Sequence, residues 1–155
     1  MQRLATACEA IAATTKKLLK TGIVAEYLKS RTPDEAAVSA VFLSGRPFPA
    51  WEETTLQVGG RSLWQIVAEL AGKDAGELTA AYRRHGDLGA VAAEVLPAHA
   101  GQGLNVLEVE NAFRQIAAAR GPAAKIGLVR DLLSHASPHW ELVVRGGIPC
   151  GMGLG

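Results

Sequence analysis

The stretch His85-Gly86-Asp87-Leu88-Gly89-Ala90-Val91-Ala92 predicts a sharp corner between two helices. Basic residues close the helix before it, Gly86 suits the left-handed conformation that ends many helices, and Asp87 can cap the exposed amides of the next one. Gly89 then falls in the first turn of the new helix, where glycine has poor helix propensity. Such a glycine indicates that a neighbouring helix or a ligand approaches the backbone closely.

Outside this corner, apolar residues recur at helical spacing along most of the 155-residue chain, and the composition is rich in Ala and Leu but poor in aromatic residues. The first helix should carry Leu18 and Leu19 in its apolar stripe. Thr32, Pro33 and Glu35 mark the start of the third. No repeat of fixed period is evident. The sequence therefore predicts one all-α, irregular domain of about eight or nine helices. Their expected ranges are 3–20, 23–29, 33–43, 61–71, 77–85, 88–96, 106–120, 123–134 and 138–145.

The net charge is only +1, but basic residues concentrate in two segments. Residues 1–31 hold six basic side chains against two acidic ones, and residues 120–155 hold four against two. The two segments can form one basic surface, or each can be an ordinary solvated helix face. Cys8 and Cys150 lack metal-type spacing, which favours a reducing compartment. No apolar run approaches the about 20 residues of a membrane span, so we expect a cytoplasmic protein without membrane contact.

Four motifs in order resemble the N-terminal, DNA-binding domain of ATP-dependent DNA ligases. One is the octet from His85 to Ala92, which looks like that family's Gly-Asp-(Leu/Val)-Gly-x-Val-Ala signature. The others are Leu43-Ser44-Gly45-Arg46-Pro47-Phe48-Pro49, the segment from Phe113 to Lys125, and the closing Gly151-Met152-Gly153-Leu154-Gly155. The resemblance covers about residues 4 to 155. It implies a helical module that grips duplex DNA, preferably nicked, across the minor groove through phosphate and sugar contacts.

The resemblance places the first contacts at the end of the first helix. Thr14, Lys16 and Lys17 are the expected phosphate ligands, because hydroxyl and ammonium groups donate well to phosphate oxygens. The alternative is that these lysines offset the negative C-terminal end of that helix and need no ligand. Gly86 and Gly89 are expected to contact DNA through their backbone amides.

Further expected contacts lie in the last third of the chain. Lys125 falls in the first turn of a helix, where a cation opposes the helix dipole, and a bound anion would remove the conflict. The alternative is a lysine extended into solvent. Gly151 and Gly153 of the tail are expected to contact DNA through the backbone. Where the family carries an arginine just before this tail, the chain has Cys150 or Gly151, and Arg145 is a weaker candidate upstream.

No catalytic or metal-binding pattern is evident, so the sequence predicts a domain that binds and does not react. Lys73-Asp74-Ala75-Gly76 is a helix break and not an adenylation site. In the family the adenylated lysine stands in a Lys-x-Asp-Gly motif, whereas here Ala75 separates the Asp from the Gly. The family's ATP and Mg²⁺ chemistry belongs to nucleotidyltransferase and OB-fold domains that follow the helical one. We therefore expect a monomeric N-terminal fragment that works with those domains in replication, repair or recombination. The alternative is an α-helical protein–protein adaptor that does not bind DNA.

Overall fold

The computed structural model describes residues 1–97 and 103–135, which form eight α-helices and no strand. The all-α prediction is confirmed. From the third helix onward, the predicted boundaries differ from the observed ones by at most two residues, and the ninth helix predicted at 138–145 lies outside the described residues. The helices are α1 (Gln2–Ala12), α2 (Lys17–Lys29), α3 (Pro33–Leu43), α4 (Gly60–Ala71), α5 (Ala75–His85), α6 (Leu88–Val95), α7 (Val106–Ala118) and α8 (Pro122–His135).

Side-chain caps fix the start of four of these helices. Thr32 accepts the Glu35 N–H at the start of α3, where Pro33 needs no hydrogen-bond acceptor. Reciprocal capping boxes open two more helices: Asp74 with Glu77 at α5, and Asn105 with Glu108 at α7. Asp87 caps α6 by accepting the Ala90 N–H at 2.8 Å. Each cap satisfies amides that have no carbonyl partner within their own helix.

The prediction of one long first helix was wrong. α1 ends at Ala12, and α2 begins at Lys17 and continues through Gly22. Between them Thr14 Oγ1 accepts the Lys16 N–H at 3.2 Å, a local bond that competes with helical hydrogen bonding. The break resets the helical register, so Leu18 and Leu19 leave the apolar stripe of α1. They are 87% and 53% exposed.

Two apolar clusters hold the helices together, and α7 contributes to both. α1, α2 and α3 enclose the smaller cluster, which the first residue of α7, Val106, completes. α4 to α8 and Phe48 enclose the larger one. Phe42 of α3 packs against both and meets Phe113 of α7 edge-on at 5.6 Å. The largest fully buried side chains of the larger cluster are Ile66, Val67, Leu78, Val91, Val109, Ile116 and Leu133.

Candidate nucleic-acid interface

The link between α1 and α2 brings Thr14, Lys16 and Lys17 together. Lys16 is the N-cap of α2 in an extended conformation, and Lys17 is its first helical residue. No side chain caps the helix, and its first turn holds no acidic residue. Thr14 is half-buried and accepts the Lys16 N–H, whereas both lysine side chains are exposed. The hydroxyl thereby fixes the backbone from which the two ammonium groups extend.

The position of these lysines is electrostatically unfavourable for the isolated chain. A helix N-terminus carries a partial positive charge, and cations beside it destabilise the helix. The alternative of lysines at a helix C-terminus is therefore wrong for Lys16 and Lys17. Within residues 1–97 and 103–135, neither they nor Lys20 form an ion pair. Amides and ammonium groups together make this end of α2 suited to an anion.

The corner predicted from the octet has the expected geometry. Gly86 ends α5 with φ 68° and ψ 7°, a left-handed conformation in which a side chain is strained. Its N–H donates to the Tyr82 carbonyl at 2.7 Å, so a DNA contact through that N–H does not fit the structure. Gly89 lies buried in the first turn of α6 beside the Asp87 cap.

The same corner holds a charge cluster that the sequence did not reveal. Arg84 and His85, in the last turn of α5, both contact the carboxylate of Glu94 on α6. Hydrogen bonds from His85 and then Arg84 hold the pKa of the Glu94 carboxyl below its usual range. These two basic side chains therefore connect the two helices across the corner. Arg83 beside them is exposed and forms no ion pair within the described ranges.

Lys125 does not reach the surface, contrary to both expectations for it. The side chain is only 7% exposed, and its ammonium donates to three backbone carbonyls. These are Leu56 O at 3.0 Å, Ile116 O at 2.9 Å and Ala117 O at 3.4 Å. With its three donors used internally, the predicted phosphate contact does not fit. The lysine instead ties the C-terminal end of α7 to the loop before α4.

The remaining predicted contacts Arg145, Gly151 and Gly153 lie outside the described residues. Apart from the buried Lys125 of α8, the others fall into two groups: the α1–α2 link, beside the smaller apolar cluster, and the α5–α6 corner, beside the larger one. Lys73 pairs with Glu77 at 3.3 Å and precedes the α5 cap, as expected of a helix break.

Among residues 1–97 and 103–135, no three His, Cys, Asp or Glu side chains are placed to hold a metal ion. No helix in these ranges is long and apolar enough to cross a membrane.

Comparison with known proteins identifies the family. The profile of the DNA ligase N terminus family matches residues 1–144. The probable DNA ligase of Koribacter versatilis (strain Ellin345) is 55% identical over 139 residues, covering 88% of the chain and 24% of the relative. That of Opitutus terrae is 30% identical, covering 88% and 17%, and the DNA ligase of Methanopyrus kandleri is 30% identical, covering 87% and 26%. The chain thus spans about a quarter or less of these relatives. It belongs to the family of N-terminal domains of ATP-dependent DNA ligases.

Proposed function

We propose that this domain binds duplex DNA, preferably at a nick, through contacts to the sugar–phosphate backbone. The observation that supports this most is the exposed lysine pair at the start of α2, in a chain of the DNA ligase N terminus family. Lys16 and Lys17 have neither an internal ion-pair partner among the described residues nor an acidic neighbour in the first turn. A phosphate at this position would offset both the ammonium charges and the helix dipole.

Thr14, Lys16 and Lys17 form the central part of the proposed interface. A contact through the amide of Gly89 also stays a prediction, because Gly89 is buried and the neighbouring Ala90 N–H already donates to Asp87. Arg145, Gly151 and Gly153 stay predictions. Because all these contacts address phosphates and sugars, binding should be largely independent of base sequence and strongly dependent on salt.

The domain would serve a longer enzyme that seals nicks in replication, repair or recombination. Its relatives are named DNA ligases, and the chain spans only a quarter or less of their length. ATP and Mg²⁺ would be bound by the catalytic domains of that enzyme. We propose that the domain acts as a monomer in the cytoplasm, with duplex DNA and those domains as its partners.

Fluorescence anisotropy with a nicked duplex, an intact duplex and a single strand, each over a salt series, tests this proposal. The logarithm of the binding constant should fall linearly with the logarithm of salt concentration for both duplexes. In the double variant Lys16→Gln/Lys17→Gln this negative slope should become shallower by about 1.8, since each phosphate contact contributes about −0.9 to it. Lys29→Gln is the control, because Lys29 is also exposed but lies at the other end of α2.

The adaptor alternative predicts a different result. In that case the double variant would bind DNA as the unchanged chain does, or neither would bind at low salt. A loss half as large in the Lys29→Gln control, which removes one charge instead of two, would show that only net charge matters, which contradicts a localised site. Circular dichroism establishes in each case that the variants remain folded.

A further inference from the structure

An open apolar groove lies between α3, α7 and the proline-rich connection that follows α3. Its volume of about 150 Å³ is well below the about 300–1,000 Å³ of a small-molecule site, so it suits a protein side chain better than a substrate or cofactor. Trp51 at the groove is 83% exposed, whereas tryptophan is highly buried on average. We define the α3 groove by six of the side chains that line it, which are Val38, Val41, Phe42, Pro47, Pro49 and Trp51.

The charged side chains at the α3 groove are mainly acidic. Asp34 lies one helical turn before Val38 on the same face of α3. It is exposed and forms no ion pair among the described residues. Glu110 of α7 lines the groove and contacts Arg114 at 3.5 Å, whereas that guanidinium donates to both carboxylate oxygens of Glu52. One cation thus serves two carboxylates, which leaves a net negative charge beside the groove.

These charges determine the chemistry of the occupant. Asp34 and Glu110 repel phosphates, so the α3 groove does not extend the proposed DNA interface. The same two carboxylates attract a lysine or an arginine, and so does the face of the Trp51 ring. Arg46, which precedes Pro47, is not among the residues that line the groove. A protein segment that carries an apolar side chain next to a basic one therefore fits both the shape and the charge.

The small size of the groove indicates where such a segment comes from. One buried apolar side chain supports no better than about millimolar affinity, which is too weak to hold a protein that is free in solution. A segment tethered to the domain has an effective concentration of about millimolar, so it can occupy the same groove. The chain spans about a quarter or less of its relatives, and the larger part of such an enzyme would be attached to it.

We propose that the α3 groove docks a segment of the catalytic part of the longer enzyme, with an apolar side chain beside Trp51 and an adjacent lysine or arginine at Asp34 and Glu110. The inference rests on the proposal that the domain serves a longer enzyme, but it does not require the domain to bind DNA. It gives the domain a second surface, which contacts protein and is separate from the lysine pair of α2.

Hydroxyl-radical footprinting in the absence of DNA tests this contact. Trp51 should be oxidised at least about threefold more slowly in the full-length enzyme than in this domain alone, since the tethered segment covers its ring most of the time. In the full-length enzyme, Asp34→Lys should restore the rate of the isolated domain, because it repels the basic residue of the segment. Tyr82 of α5, which is 41% exposed, measures the radical dose in every sample.

Two further variants make the comparison specific. Glu9→Lys is the matched control for charge reversal, because Glu9 is also exposed but lies on α1, which does not line the α3 groove. It should leave the slow oxidation of Trp51 unchanged. Asp34→Asn removes the charge without placing a cation in the first turn of α3, and it should raise the oxidation rate less than Asp34→Lys does. Circular dichroism establishes that each variant remains folded.

The possible results distinguish this inference from the proposed DNA binding. Equal oxidation of Trp51 in the isolated domain and in the full-length enzyme would overturn it. So would protection that Asp34→Lys and Asp34→Asn leave unchanged, or protection that Glu9→Lys also removes, because the acidic groove would then not select the segment. If the domain binds no duplex while Asp34→Lys exposes Trp51, the proposed DNA binding fails and the docking surface stands.

Discussion

Replacing Lys125 by Met tests the reassignment of this residue from a surface ligand to an internal one. Methionine keeps the length of the buried stem but removes the ammonium that serves three carbonyls. Two of them, Ile116 O and Ala117 O, belong to the end of α7, where carbonyls lack partners within the helix. Ile116 O also accepts the Ala119 N–H at 3.3 Å, so the variant leaves two buried acceptors, Leu56 O and Ala117 O, without a donor. At about 1–3 kcal/mol each, they cost about 2–6 kcal/mol together. Relief from burying the charge offsets part of this cost, leaving a loss of about 3 kcal/mol.

Urea unfolding followed by circular dichroism measures this loss as a lower midpoint at an unchanged slope. The melting temperature should fall by about 9 °C for a domain of this size. Lys29→Met, an exposed control, should stay within about 0.5 kcal/mol of the unchanged chain. DNA affinity measured well below the melting temperature should not change in Lys125→Met. Full stability combined with lost DNA affinity would refute the reasoning and return Lys125 to the DNA surface.

Phe113→Ala should destabilise the domain by about 4 kcal/mol, because Phe113 is 2% exposed and packs against Phe42. If urea titration shows that the free energy of unfolding falls by less than about 2 kcal/mol, this prediction is contradicted. The pKa of Glu94 is lowered by hydrogen bonds from His85 and Arg84, so its stabilising contribution is present above about pH 4.5 and is lost as pH falls through the folded-state value. Glu94→Gln should therefore reduce the stability difference between neutral and acidic pH. Unfolding midpoints compared at the two pH values check this, and an unchanged difference would count against it.

Local signals in the sequence account for most of the fold. Asp87 and Gly86 needed only their own neighbours to form the corner, and Thr32 with Pro33 began α3 as predicted. The break after Ala12 was missed because no Gly or Pro marks it. The available signal was the threonine pair at 14 and 15, whose first hydroxyl bonds the backbone two residues later.

The candidate site was less accessible to sequence reasoning because its residues depend on distant partners. Lys125 could be placed in the first turn of α8, but its acceptor Leu56 O is 69 residues away in the chain. The pairing of Arg114 with Glu52 likewise spans 62 residues. Only packing of the helices brings such groups together.

Because α7 contributes to both apolar clusters, the two clusters should unfold cooperatively. Opening of α1 to α3 would uncover Val106 at the start of the helix whose next turns support the larger cluster. The N-terminal helices are therefore thermodynamically linked to the rest of the domain and should not open as an independent unit. A ligand held at the start of α2 would then slow amide hydrogen exchange not only there but also along α7, far from any contact with it.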